Sequence, residues 1–567
     1  MLSSAFTGGL MTYSLYLAHI NDTHSHFEPT PLALNLPLAN GALDISVPCG
    51  GYAMMASTIN RFRHTAKQQG VPSLFLHAGD SFQGSLYFSR FKGLANAVLL
   101  NKLMPDAMTI GNHEFDLGNL PLSQFIKAAN FPCLAGNMDL QHENPSKELP
   151  LATHDNLFYY NNDKAIASYI TRPLHDKKLA IVGITLDQMA KIGCPDHDCH
   201  FLDAIATTRR TIEHIQQQGI VHIIVLSHLG YQGDIELAQA VSGISVIVGG
   251  HSHTITGDFS ELGLSSTQQS QVIINDTLIL QAGKHAESIG LSKLDFDDSG
   301  KVIQQDGGVK LLPCANWYHA PENSHLTAEQ INQCNDFMIH SPLFEMTKPC
   351  AAVTECIYHD YRPLIEAMKA NVITSLSKDY RHVRLPNELL PQGSEIAPLV
   401  ARAFYHCANE HYSTDFALHN AGGVRVSLNK GPLTAADICG RLLPFEIQIV
   451  RYKVQGKVLK SALEGGINNA KNNGVIGTGD GSYPYCHGIQ FIYDEDNPMG
   501  ERISSLTIYQ NGQWQDVSPN AFYYGVSSAY TIAGKEGYDA LLQASEQHDL
   551  PYSMSDAFIK YVSNEKL

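Results

Sequence analysis

The chain has 567 residues, 44% hydrophobic and 16% charged, with 38 lysines and arginines against 55 aspartates and glutamates. That length exceeds what one compact core can serve and calls for two or three domains, while no stretch approaches the ~18 apolar residues of a membrane span. The net charge of −17 opposes nonspecific binding to nucleic acid, so a site that handles phosphate needs its positive charge locally.

Residues Met1 to Gly9 lack a basic leader region and run almost at once into a strand, which reads as no intact secretory signal. Eleven cysteines, an odd number in a long chain, point to reduced thiols. The expected setting is cytoplasmic, or periplasmic if a leader has been removed. The next ~320 residues alternate apolar runs with amphipathic helical stretches such as Ala53 to Gln69 and Asp203 to Gln218, the pattern of a layered α/β domain over residues 13–325. A linker helix and hinge follow at 326–348, with Thr327 capping Leu326 to Asn332 and a pivot around Ser341 to Pro349. Residues 349–567 carry their own helices (Ile396 to Glu410, Val458 to Asn469) and strands (Gly488 to Tyr493, Ile503 to Tyr509), and so form a smaller α+β domain.

Five apolar runs of the first domain end in metal-capable residues. Leu15 to Ile20 leads into Asn21-Asp22-Thr23-His24, and Leu74 to Ala78 into Gly79-Asp80. Ala107 to Ile110 leads into Gly111-Asn112-His113-Glu114, Val221 to Leu226 into Ser227-His228, and Val246 to Val248 into Gly249-Gly250-His251-Ser252-His253. Each reads as a buried strand stopping at a polar or glycine turn, which gathers the ligands at one sheet edge, where α/β sheets bind ligands. Asp22, His24, Asp80, Asn112, His228, His251 and His253 are oxygen and imidazole donors suited to two divalent ions such as zinc, manganese or cobalt. With Asp80 shared they make two sets, Asp22, His24, Asp80 and His253 for one ion and Asp80, Asn112, His228 and His251 for the other. Two dications less two aspartate charges leave about +2 to meet a phosphate dianion. Among 27 histidines any single one is more often a surface or core residue, and an aspartate after glycine is commonly a turn residue. It is the conjunction at five strand ends that selects the metal reading.

The chain resembles the 5′-nucleotidase family, in which a calcineurin-like metallophosphoesterase domain, a β-sandwich flanked by helices, precedes a nucleotide-binding domain. The resemblance runs from about Tyr13 to Leu542. It implies that the seven residues above hold two metals, with Asn112 also on the substrate side, that His113 stabilises the transition state or protonates the leaving group, and that Asp116 orients His113. Leu418 to Arg425 resembles the family's Asn-x-Gly-Gly-x-Arg loop. By that resemblance Arg425 meets the substrate phosphate, Asn420 contacts the base, Phe445 and Tyr530 sandwich it, and Arg381 and Arg384 stand on the phosphate side. In Gly534-Lys535-Glu536-Gly537, Glu536 occupies the place of the family's usual aspartate, Tyr530 replaces a commoner phenylalanine, and Pro386 to Gly393 resembles an insertion.

Two motifs weigh less. Cys194-Pro195-Asp196-His197-Asp198-Cys199-His200 is a single metal-capable loop without a matching second pair, open to a structural ion or a disulfide. Gly477-Thr478-Gly479-Asp480-Gly481 lacks the Gly-Lys-Ser/Thr of a P-loop and reads as a turn. The expected activity is a metal-dependent phosphohydrolase acting on nucleoside 5′-monophosphates, with a small-molecule nucleotide as partner and neither nucleic acid nor membrane. The alternatives are cleavage of a UDP-sugar or NAD pyrophosphate, of a 2′,3′-cyclic phosphodiester or of a thiosulfonate, and a nucleotide-binding protein without catalysis. An aromatic base sandwich disfavours the thiosulfonate.

Overall fold

The computed structural model describes residues 12–269, 271–471 and 479–565. Met1 to Gly9, read above for a leader, and Gly477 and Thr478 of the glycine-rich turn lie outside the described residues. The chain divides into two compact units: residues up to Gln83 with Phe91–Tyr361, and Gly84–Arg90 with the residues from Arg362 on.

The first unit is a sandwich of two sheets. Strands β1 (Tyr13–Ile20), β2 (Ser73–His77) and β3 (Ala107–Thr109) are neighbours in an eight-stranded sheet ordered Val302–Leu311, Ser288–Phe296, β1, β2, β3, Cys133–Ala135, Leu157–Asn161, Ile166–Ala167. Strands β4 (His222–His228) and β5 (Val246–Val248) are central in a six-stranded sheet ordered Tyr169–Leu174, Lys177–Thr185, β4, β5, Thr277–Leu280, Val272–Ile274. The two-residue period of a strand explains why these runs are apolar throughout. Leu15, Leu17, Leu74 and Leu76 face Ile224, Leu226, Val246 and Val248 in the core between the sheets. The alternate residues of the second sheet, Ile223, Val225 and Ile247, face Ile212 and Ile215 of the helix Ala204–Gln217. That helix starts where Asp203 accepts a hydrogen bond from the Ala206 N–H at 2.6 Å.

The helix Ala328–His340 opens with a capping box between Thr327 and Gln330. It buries Cys334 and Met338 together with Trp317 against the hairpin Thr30–Leu38 and Gly41–Cys49. This helix is thus packed into the first unit, because its apolar face has a core to join, and the compact units divide after Tyr361.

In the second unit a five-stranded sheet runs Pro484–His487, Phe416–Asn420, Phe522–Ser528, Gln448–Gln455, Ser545–Ser553. Helices Ala397–Asn409, Gly456–Ala470 and Met554–Asn564 contribute Phe404, Leu459, Leu463 and Phe558 to its core. No helix among the described residues is long and apolar enough to cross a membrane.

Candidate metal centre

Parallel pairing of β1 with β2 sets Ile20 opposite His77, so the turns beyond them start level. Backbone bonds continue past the strand ends, from Asp22 N–H to Gly79 O at 2.9 Å and from His24 N–H to Asp80 O at 3.1 Å. In the other sheet Leu226 pairs with Val248, which brings His228 and the turn carrying His251 to the same edge. The sheets are tied at that edge by His228 Nδ1 donating to Ala78 O at 2.7 Å and by His251 N–H donating to Asp22 Oδ2 at 2.9 Å.

The seven residues expected to hold metal converge here. His24, with Nδ1 3.1 Å from Phe82 O, presents Nε2 3.0 Å from His253 Nε2, and Asp22 Oδ1 lies 3.6 Å from that His253 nitrogen. His228 Nε2 lies 3.1 Å from Asp80 Oδ2 and 3.3 Å from Asn112 Oδ1, and His251 Nδ1 lies 2.8 Å from the same Asn112 oxygen. Among the described residues three groups have donor atoms all within 4.8 Å of one another: Asp22, His24, His253; His24, Asp80, His113; and Asp80, His228, His251. Asp80 belongs to two of them and so does His24; of the two, Asp80 is the carboxylate, with two oxygens to share.

The donor set fits borderline dications. Carboxylate oxygen, amide oxygen and imidazole nitrogen are the ligands such ions take, and a backbone carbonyl on the far nitrogen fixes the tautomer that leaves the other free to bind. Burial lowers the imidazoles of His251 and His253 to about 4 and that of His24 well below the usual range, keeping them in the neutral form that ligation needs. Burial pushes the Asp22 carboxyl up to about 8, with the Asp80 charge adding to the rise. Burial also opposes ionisation of Asp80, yet the facing His228 and His113 hold it well below the usual carboxylate range. Two adjoining buried carboxylates thus call for positive charge between them.

Backbone strain marks the same turns. Asp22, His24, Asp80, His251 and His253 have φ of 49°, 48°, 56°, 75° and 57°. Left-handed non-glycine residues cost about 1–3 kcal/mol each and persist only where their surroundings over-determine them. Gly111 shows how tight those surroundings are, since a Cβ there would lie 2.2 Å from Asp80 Oδ1.

His113 and Asp116 are brought together on one 3₁₀ turn, Nδ1 to Oδ2 2.6 Å. Burial works against the imidazolium, but Asp116 and Asp80 outweigh it and hold the His113 pKa up to about 10. The backbone N–H of His113 donates to Asp80 Oδ1 at 2.9 Å.

Glu114 stands in the Asn-His-Glu motif, yet the sequence assigns it no role. Its buried carboxylate accepts from the N–H groups of Asp80 (3.0 Å), Ser81 (2.7 Å), Phe82 (3.1 Å) and Gly111 (2.8 Å), and so holds the Asp80 turn on the Asn112 turn. The one available signal is an acidic residue inside an otherwise buried turn. Glu114→Gln turns an acceptor into a donor facing N–H groups, which leaves buried donors unpaired at about 1–3 kcal/mol each. A lower melting temperature and a ~10- to 100-fold weaker Co²⁺ affinity are expected. Calorimetry and metal titration check this, and wild-type values in both would remove Glu114 from the support of the site.

Apart from Asn112, the residues expected to meet the nucleotide lie in the second unit. Asn420 Nδ2 donates to Glu536 Oε2 at 3.0 Å, and the Tyr530 hydroxyl lies 3.5 Å from Glu536 Oε1. Glu536 has a φ of 54°. The Arg425 guanidinium sits over the Phe445 ring, 5.5 Å from its centroid. Burial and the nearby Arg384 both lower the Arg425 pKa, and burial raises that of Glu536 against Asn420 and Arg384. Arg384 also pairs with Asp480 at 2.8 Å. Arg381 is engaged elsewhere, its Nε 3.2 Å from Glu395 Oε2, because Glu395 also accepts its backbone N–H.

The Cys194 to His200 loop is held by ion pairs of Lys147 with Asp196 and Asp198. None of the eleven cysteines is in a disulfide, so the Cys194–Cys199 bridge considered above does not form. None of the three metal-capable groups found among the described residues includes this loop.

Two family models match the chain, one in each compact unit. Calcineurin-like phosphoesterases match residues 15–254, and the 5′-nucleotidase C-terminal domain matches residues 377–543. The chain is 30% identical to the probable 5′-nucleotidase of Treponema pallidum, over 93% of this chain and 88% of that protein. It is 26% identical to the trifunctional nucleotide phosphoesterase protein YfkN of Bacillus subtilis over 95% of this chain, but spans only 33% of that longer protein. The crystal structure of a 5′-nucleotidase precursor from Thermus thermophilus superposes with a TM-score of 0.68 at 27% identity, covering 97% of this chain and 96% of that one. The chain belongs to the 5′-nucleotidase family, with a calcineurin-like metallophosphoesterase domain followed by a 5′-nucleotidase C-terminal domain.

Proposed function

We propose that this chain is a divalent-metal-dependent 5′-nucleotidase that hydrolyses nucleoside 5′-monophosphates to nucleoside and phosphate. The observation that carries the reading is the company kept by Asp80: its carboxylate adjoins the imidazoles of both clusters, and the His113–Asp116 dyad stands beside it. Asp22, His24, Asp80 and His253 would hold one ion, and Asp80, Asn112, His228 and His251 the other. When bound, such a pair supplies Lewis-acid polarisation of phosphoryl oxygens and lowers the pKa of water. His113, with Nδ1 engaged by Asp116, has Nε2 to give a proton to the leaving oxygen. Arg425 is suited to a phosphate because a guanidinium binds two oxygens at once. Asn420 and Glu536 offer an amide and a carboxylate to the base and sugar, and Phe445 and Tyr530 offer ring faces.

Truncating the rings separates recognition from chemistry. Base stacking is worth about 1–3 kcal/mol per base, so Phe445→Ala or Tyr530→Ala should lower kcat/KM for AMP by roughly 5- to 150-fold. A small aryl phosphate, which has no base to stack, should be cleaved at the wild-type rate. Equal losses on both substrates would remove the second unit from specificity.

The direct test is turnover of AMP, UDP-glucose, NAD and 2′,3′-cyclic AMP by the purified chain with manganese, cobalt or zinc. AMP should be cleaved most efficiently, and only with metal. A preference for UDP-glucose or NAD would make the chain a pyrophosphatase, and two bound ions with no turnover would make it a nucleotide-binding protein.

A further inference from the structure

His228 closes β4, and His251 stands in the turn after β5. Behind both lies Asp234, in the first turn of the helix Tyr231–Ala240. Asp234, Ser227 and Gln281 are all fully buried. One carboxylate oxygen, Oδ1, accepts the Ser227 hydroxyl at 2.6 Å, and the other, Oδ2, accepts the Gln281 side-chain amide at 2.9 Å. That same amide donates to Gly250 O at 3.1 Å, while Gln281 Oε1 accepts from Ser252 Oγ at 3.0 Å. The carboxylate is therefore bonded on one side to the neighbour of His228 and, through one glutamine, to the residues flanking His251.

The packing leaves no slack in this arrangement. A Cβ on Gly249 would lie 1.9 Å from Asp234 Oδ2, so the carboxylate rests directly on the backbone of the turn that carries His251. Burial pushes the Asp234 pKa up to about 7, with Ser227 and Gln281 opposing the rise. A carboxylate buried at that cost, bonded directly to Ser227 beside His228 and through Gln281 to the turn that carries His251, acts as a bracket between them.

We propose that Asp234 is a positioning residue for the ion held by Asp80, Asn112, His228 and His251, and that it sets the spacing of the two histidines by fixing the end of β4 and the turn after β5 together. The inference rests on the metal reading above. Asp234→Asn keeps an acceptor for Ser227 but turns an amide toward the Gln281 amide, which breaks the arm leading to Gly250. Gln281→Leu breaks that arm from its other end and leaves Asp234 in place.

The test is Co²⁺ titration of the full chain, followed by calorimetry and by visible absorption. The wild type should bind two ions. Asp234→Asn should bind one as tightly as the wild type and the other about 10- to 100-fold more weakly, with an altered visible band for the weakened site. Gln281→Leu should behave alike, and the double variant should be no worse than either, because both act on one network. Two ions bound to both single variants at wild-type affinity and spectrum would overturn the inference, as would equal weakening of both ions. A wild type that binds fewer than two ions would overturn the metal reading and this inference with it.

Discussion

Asp80→Asn should lower turnover of AMP by roughly 10³-fold or more and reduce bound metal below two ions per chain. Asp80 lies in two of the metal-capable groups, as His24 does, and is the carboxylate that the two proposed ligand sets share, so its loss weakens both. Removing one shared anionic ligand costs several kcal/mol of Lewis-acid stabilisation, and about 4 kcal/mol is three decades in rate. Asparagine is the informative substitution because Asp80 has a φ of 56°, which asparagine tolerates and alanine does not. The backbone of the turn is also held independently by Glu114 through the N–H groups of Asp80, Ser81 and Phe82. The variant should therefore fold, and its circular dichroism should match the wild type. Metal analysis decides the matter: two ions retained at wild-type affinity would show that Asp80 is not shared between the sites.

The strands that end at the proposed metal ligands were legible in the sequence because their chemistry is local. A run buried on both faces must be apolar at every position, and it must stop where a polar ligand begins, so β1, β2 and β4 announce both themselves and their termini. The Thr327 cap was legible for the same reason, since its side chain bonds a backbone N–H three residues on. Ligand support was not legible. Glu114 accepts from a turn more than thirty residues away, and Asp234 meets Gln281 across forty-seven, so nothing near them in sequence marks their partners. The hairpin Thr30–Leu38 and Gly41–Cys49 carried a usable sign, the Asn40-Gly41 pair at its tip, which the strand-and-ligand reading passed over. The division after Tyr361 is a tertiary property: whether an amphipathic helix such as Ala328–His340 is a linker or part of a core depends on whether a partner such as Trp317 is there to receive it.

His113→Ala should keep both metals and lose on the order of 10² to 10⁴ in rate on AMP, the scale of acid-base assistance. The metal sites should survive because the contact His113 makes to Asp80 uses its backbone N–H, which alanine retains. Asp116→Asn should lose less, because Asp116 acts through the ring: it keeps Nδ1 protonated and supports the imidazolium from 2.6 Å. The double variant should be no slower than His113→Ala, since an orienting group has nothing to orient once the ring is gone. Leaving-group dependence then identifies the proton's destination. A nucleoside alkoxide needs protonation as it departs, whereas a nitrophenolate leaves readily without it, so the loss in His113→Ala should be large for AMP and much smaller for p-nitrophenyl phosphate. Equal losses on the two substrates would place His113 against the phosphoryl oxygens as a charge stabiliser, and unchanged turnover on both would remove it from the reaction.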